Sequence, residues 1–341
     1  MWRSQKWTAA GDLQPTTLKS NRRLVPRHNL RMQLPAMAAW AWIPIVICAA
    51  LAQTLRNAAQ RTLTADVGTL PATLVRFLYG LPFAALWLLL VLRFSGEGIA
   101  TPPFDLSYFA WMSLGAISQL LATALLLQAM KEGNFIVAVA YSKTELLQVA
   151  LFAALFLHEL PGWISAIAML IATTGVMILS RPKSSVPGGL KASHWMSMAA
   201  LYGLGSGACF ALALVGYRGA SLALPGVSPW LIGGWGVLWA QALQTVLLGS
   251  YLALRQPGSL AALARAWRLS TVAGAMGALA SIGWLTATAL RPVADVRTLG
   301  LVEVLFAYLV SRRLFKEKLS TSDLIGLALV TTGLVVVCSQ L

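Results

Sequence analysis

The sequence predicts an all-α membrane protein of ten transmembrane helices, arranged as two inverted five-helix repeats. Three observations carry that reading. First, 58% of the 341 residues are hydrophobic and only 11% are charged, with a mean hydropathy of +0.72; soluble domains of this length do not have such a composition. Second, apolar stretches close to the ~20 residues that a bilayer crossing requires recur along the chain without period-two alternation, so the spanning element is a helix that satisfies its own backbone. Third, the last apolar block repeats an earlier one. With a shift of 158 positions and no gap, Glu303 falls on Glu145, Leu305 on Leu147, Leu309 on Leu151, Glu317 on Glu159, and Thr331-Thr332-Gly333 on Thr173-Thr174-Gly175.

Residues 1–37 are polar and basic, with Arg3, Lys6, Lys19, Arg22, Arg23, Arg27 and Arg31 against a single Asp12. They hold neither the apolar core nor the cleavage site of a secretory signal, and are expected to form a disordered tail or an upstream non-native start, with Met32 or Met37 as alternatives. The first repeat is expected over 38–181, with spans at about 40–58, 72–92, 107–130, 134–157 and 162–180. An inter-repeat loop is expected at 182–195, rich in Lys, Pro and Gly. The second repeat, 196–341, has spans at about 196–216, 229–253, 269–290, 295–314 and 322–340. Short breaks such as His158-Glu159-Leu160-Pro161-Gly162 predict tight helical hairpins. Because each unit has an odd number of spans, the second enters the bilayer from the opposite side, and the expected site lies at the midplane between the halves.

The formal charge of +15 comes largely from the tail and the short loops, which points to anionic lipid and membrane orientation and away from nucleic acid. The tail and the loops vote for opposite orientations of the termini. The three cysteines, Cys48, Cys209 and Cys338, all lie in apolar spans and are expected to be small buried hydrophobes.

Charged groups inside the spans carry the functional reading. Glu145 and Glu303 lie about ten residues into their spans, where an ionised carboxylate is expensive unless it is paired or wetted. Each is a candidate for carrying a coupling proton or touching substrate, or for being tied to a fixed partner. Lys143 and Arg297 are the obvious partners, although Lys143 would point elsewhere on a continuous helix through Glu145. Arg76 is either an anion-recognising or gating residue or a side chain snorkelling to the interface. Arg56 is expected near a helix end. Asp295 and Arg297 are expected at the head of their span. Tyr141, Gln148 and Trp284 complete the candidate set for substrate or coupling. Gln119, Gln128, Gln241 and Gln244 are expected mostly to bond neighbouring helices. Close helix packing is expected where Gly203 and Gly207, and Ala273, Gly277 and Ser281, recur at helical spacing.

On Pro71…Arg76-Phe77, the mid-span Glu145 and Glu303, the span-closing Glu159 and Glu317, and Gly175 and Gly333, the chain resembles the drug/metabolite transporter superfamily, in its EamA-like group of ten-helix carriers, over residues 38–340. The family often carries Pro directly after the mid-span Glu, whereas Leu146 and Val304 stand here; no proline kink is predicted. The resemblance implies a secondary carrier in the bacterial inner membrane that moves a small metabolite, amino-acid-like or related, by alternating access. Export is the family habit, with proton coupling or exchange. The alternatives are efflux of hydrophobic cations, which suits a carboxylate in an aromatic cavity, and a non-transporting scaffold or sensor. Expected partners are a small-molecule substrate, the lipid bilayer and protons, with no nucleic acid. No cofactor or metal is implied, and enzyme signatures such as His-Glu-x-x-His, Gly-x-Ser-x-Gly or Gly-x-x-x-x-Gly-Lys are absent. The chain is read as a non-enzyme.

Overall fold

Outward-facing leucines and buried arginines set the architecture. In the computed structural model, Leu86, Leu89, Leu151, Leu155 and Leu170 are all more than half exposed while Arg56 and Arg76 are 1% exposed. That inverts the distribution of a soluble protein and suits a surround of hydrocarbon. The structure describes residues 40–94, 101–132, 138, 141–160, 162–179, 198–315 and 321–338. The basic tail, the inter-repeat loop and Glu317 lie outside the described residues.

The described chain is helical: α1 (Trp42–Val67), α2 (Thr69–Leu78), α3 (Leu81–Phe94), α4 (Leu106–Glu132), α5 (Glu145–Leu157), α6 (Trp163–Leu179), α7 (Met198–Leu222), α8 (Pro229–Arg255), α9 (Pro257–Arg265), α10 (Trp267–Leu290), α11 (Val293–Gly300), α12 (Val302–Phe315) and α13 (Thr321–Cys338). Six stretches are long and apolar enough to cross a bilayer, namely α1, the bent pair α2–α3, α4, α7, α8 and α10. The chain is an integral multi-pass membrane protein. The short helix α9, which caps the connection between α8 and α10, is not announced by hydropathy. Cys48 is exposed and Cys209 half-buried, which corrects, for these two, the expectation that they are buried packing residues.

The principal packing pairs are α4 with α7, α1 with α10, α6 with α13, and α5 with α7. In addition α12 lies on α1, and α8 lies against α2, α3 and α10. The largest apolar cluster gathers Trp42, Val46 and Ala49 of α1, Met169 of α6, Trp284 of α10, Leu299, Leu301 and Val304 around the α11–α12 junction, and Val330 of α13. Polar groups are therefore held at the centre by an apolar frame on several sides.

Two helix interruptions shape the interior. Lys143 and Thr144 form a turn just before α5, and Leu301 forms one between α11 and α12. At both, the backbone tightens to three-residue spacing: the Leu146 amide donates to the Lys143 carbonyl at 3.2 Å, and the Val304 amide to the Leu301 carbonyl at 2.9 Å. Those two bonds are equivalent under the 158-residue shift. The first break has a local cause, since the Thr144 hydroxyl donates to the Tyr141 carbonyl at 2.8 Å and so competes with the helical ladder. Beside the second, Gly300 lets the Trp284 ring close in. A Cβ there would lie 2.7 Å from Cη2 of the Trp284 indole, closer than packed carbons come. Kinks thus occur without the proline the sequence lacks, and they precede each glutamate instead of following it.

Candidate functional site

Six side chains that can carry a full charge at neutral pH are buried among the described residues: Arg56, Arg76, Lys143, Glu145, Arg297 and Glu303. Taking each as charged, the set carries four positive and two negative charges. The helix breaks deliver the two carboxylates, because Glu145 and Glu303 each stand in the first turn of the helix that restarts after the break. There the positive end of the helix dipole favours a carboxylate.

Each carboxylate meets a cation from the other half of the chain. Lys143 Nζ lies 2.5 Å from Oε2 of Glu303 and 3.8 Å from Oε1 of Glu145. Arg297 pairs through Nη2 with Oε1 of Glu145. This corrects the expectation that Lys143 points away. On a continuous helix it would; the turn at 143–144 swings it across to both glutamates. Arg297, expected at the head of its span, is 6% exposed and belongs to the cluster. Asp295 does not: it accepts a hydrogen bond from Ser165 Oγ at 2.7 Å and ties α11 to α6.

Glu303 is fully coordinated. Gln53 Nε2 donates to its Oε2 at 2.6 Å and Asn57 Nδ2 to its Oε1 at 3.1 Å, in addition to Lys143. Trp284 Nε1 in turn donates to Gln53 Oε1 at 2.8 Å, and the Arg297 guanidinium lies over the Trp284 ring, 4.5 Å from its centroid. Trp284 therefore holds both ends of the cluster. Glu145, by contrast, leaves Oε2 without a hydrogen-bond partner.

The two remaining cations are held by neutral groups. Arg56 donates through Nε and Nη2 to Asn57 Oδ1, at 3.2 and 2.7 Å. Arg76 donates through Nη1 to Thr123 Oγ1 at 2.9 Å and through Nη2 to Ser281 Oγ at 3.4 Å. The structure decides against snorkelling for Arg76. Arg56, expected near a helix end, is mid-helix because α1 continues to Val67, well past the boundary set by hydropathy.

Of the other candidates, Gln148 lies one turn beyond Glu145 with a buried Oε1 that has no hydrogen-bond partner. Tyr141 backs onto Gly203 of α7 and supplies the carbonyl that anchors the first break. Gly207 likewise meets the backbone of Ser142 and Glu145, so the Gly203–Gly207 pair packs as expected, with the broken segment as its partner. Gln119 accepts from Tyr217 at 2.8 Å and from Gln244 at 3.0 Å, the interhelical role expected of such amides. At the end of α5, Glu159 accepts from Arg218 Nη2 at 2.8 Å while Arg218 Nη1 donates to the Thr288 carbonyl at 2.7 Å. Among the described residues no group of three or more His, Cys, Asp or Glu gathers as a metal site requires.

Sequence reasoning missed Gln53, Arg56 and Asn57 as members of this site. The signal is there: with Gln60 they stand at i, i+3, i+4 and i+7 in an otherwise apolar helix, a polar stripe on one face.

Residues 40–181 match the family model described as the EamA-like transporter family, which bears out over that range the resemblance read from the sequence. One crystal structure of a protein is similar in fold, with a TM-score of 0.57 at 17% identity over 86% of this chain and 99% of that one. No curated protein matches the sequence.

Proposed function

We propose that this protein is a secondary active transporter of a small metabolite, working in the bacterial inner membrane by alternating access between two inverted five-helix halves. Export is the favoured direction, with proton coupling or exchange as the driving mode. The match over residues 40–181 supports the transporter class. The observation that carries the mechanism is reciprocal pairing: after equivalent helix breaks, Glu145 meets Arg297 of the second half and Glu303 meets Lys143 of the first. Interrupted helices whose ends converge on buried charges are the usual form of carrier sites.

Packing supports the inverted repeat. Numbering the ten proposed spans in order and exchanging the halves turns the contact of the third with the sixth (α4 on α7) into that of the eighth with the first (α10 on α1). It likewise turns the fourth on the sixth (α5 on α7) into the ninth on the first (α12 on α1), and maps the fifth-with-tenth contact (α6 on α13) onto itself.

In this mechanism Glu145 is the coupling group. Its open Oε2 is free to take a proton, and the neutral acid no longer holds Arg297, so a pair joining the halves is released. Glu303 stays anchored to α1. The test is a solute screen in proteoliposomes under an imposed pH gradient, reading lumenal pH and tracer flux together for wild type and Glu145→Gln. The expected result is a solute whose movement carries protons in wild type, and whose exchange survives in the variant without the proton signal. Unchanged coupling in the variant would overturn the role of Glu145. A broad screen in which nothing moves would favour the scaffold or sensor reading.

A further inference from the structure

We infer that the transported solute is an anion, recognised by Arg56 and Arg76; this deepens the transporter reading and rests on it. The inference comes from accounting for the buried charges. Lys143 and Arg297 are matched by Glu303 and Glu145. Arg56 and Arg76 have no carboxylate at ion-pair distance among the described residues, and their partners are the side chains of Asn57, Thr123 and Ser281. A buried guanidinium does not escape the cost of burial by losing its proton, and an unpaired buried charge is strongly destabilising. Two positive charges therefore await a counter-charge.

The donors that would bind it are identifiable. Arg56 Nη1 and Arg76 Nε are both buried with no hydrogen-bond partner, while the other nitrogens of each guanidinium are engaged. The two stems converge on Gly277 of α10: a Cβ there would stand 3.0 Å from Arg76 Cγ and 3.4 Å from Arg56 Cδ. The absent side chain leaves room for both arginines on one face. Gln241, which abuts the Gly80 bend one turn beyond Arg76, has both its amide oxygen and its amide nitrogen without partners. A carboxylate or phosphate group fits this donor set, because its several oxygens can each take a charge-assisted hydrogen bond, one from Arg56 Nη1 and one from Arg76 Nε. An excess of two buried positive charges suits a dianion best. It opposes a hydrophobic cation, which would enter a cluster already in excess of positive charge, whose two carboxylates are paired with Arg297 and Lys143.

The experiment titrates purified full-length protein with succinate, inorganic phosphate, chloride, glucose and tetraphenylphosphonium, reading the unfolding midpoint, and then follows counterflow of the same solutes in proteoliposomes. Succinate or phosphate should raise the midpoint saturably, and Arg56→Gln and Arg76→Gln should each weaken that binding at least tenfold. Should either variant fail to fold, arginine modification by phenylglyoxal in wild type replaces it, with the anion expected to protect Arg56 and Arg76. Saturable binding of tetraphenylphosphonium or glucose without any anion, a shift from chloride alone (an adventitious ion only), unchanged affinity in both variants, or no protection would each overturn the inference. Anion binding at the arginines with no solute moved would remove the transporter reading and leave the anion site standing. Movement of a neutral or cationic solute with no anion bound would do the reverse.

Discussion

Glu145 and Glu303 occupy equivalent positions in two copies of one sequence pattern, yet they differ in how tightly they are held. Glu303 has both oxygens engaged, by Lys143, Gln53 and Asn57. Glu145 has one oxygen on Arg297 and one without a partner. The cations differ as well. Lys143 stands in the break itself, whereas the equivalent position in the second copy is Leu301; Arg297 stands about one turn before the second break, where the first copy has Val139. The carboxylates and the breaks are in register while the counter-charges stand at unmatched positions. The difference is one of freedom: one glutamate is held on both oxygens, and the other keeps one oxygen open, as the proposed coupling role requires.

The largest expected effect that would break this comparison is on stability. Glu303→Gln leaves the buried Lys143 with only the Glu145 carboxylate, 3.8 Å away and already on Arg297, as a counter-charge, and removing one partner of a buried pair costs about 3–5 kcal/mol. Glu145→Gln likewise strips Arg297 of its carboxylate, but Glu303→Gln also disturbs the bonds from Gln53 and Asn57, so its unfolding midpoint in detergent should fall further; equal losses would mean that the two sites are held alike. The sharper test is the double variant Lys143→Met/Glu303→Gln. Neutralising both members removes the under-compensated charge, so the pair should recover at least half of the single variant's loss, and strictly additive losses would show that Lys143 and Glu303 do not act together. The smallest effect concerns the second break. Gly300→Ala drives a methyl against the Trp284 indole, and overpacking of this kind costs roughly 1–3 kcal/mol. Since Trp284 also orients Gln53 and stacks on Arg297, solute flux should fall along with stability. Wild-type flux in Gly300→Ala would mean that the indole does not position the cluster.

Much of the architecture is legible in the residues themselves. Helix positions follow from hydropathy because burial in lipid demands long apolar runs, and the boundaries that hydropathy misses are those where polar residues continue a helix into the protein interior. Arg56 is the clearest case: it looks terminal because the apolar run fades near it, but α1 carries on to Val67 with its polar stripe turned inward. Lys143 is misjudged for a related reason. Helical spacing assigns it to a face away from Glu145 only if the helix is unbroken, and in a proline-free stretch the turn at 143–144 is announced only by Thr144, whose hydroxyl bonds the Tyr141 carbonyl.

The sequence alone determined that the chain is a multi-pass helical membrane protein and that two glutamates sit in matching registers, because hydrophobic length and periodicity are local properties of the chain. Which cation meets which carboxylate, and which arginines meet none, was decided by tertiary structure. Those contacts join residues up to 250 positions apart, as Gln53 and Glu303 do, and they depend on the packing of α1, α10 and the two broken helices around a common centre.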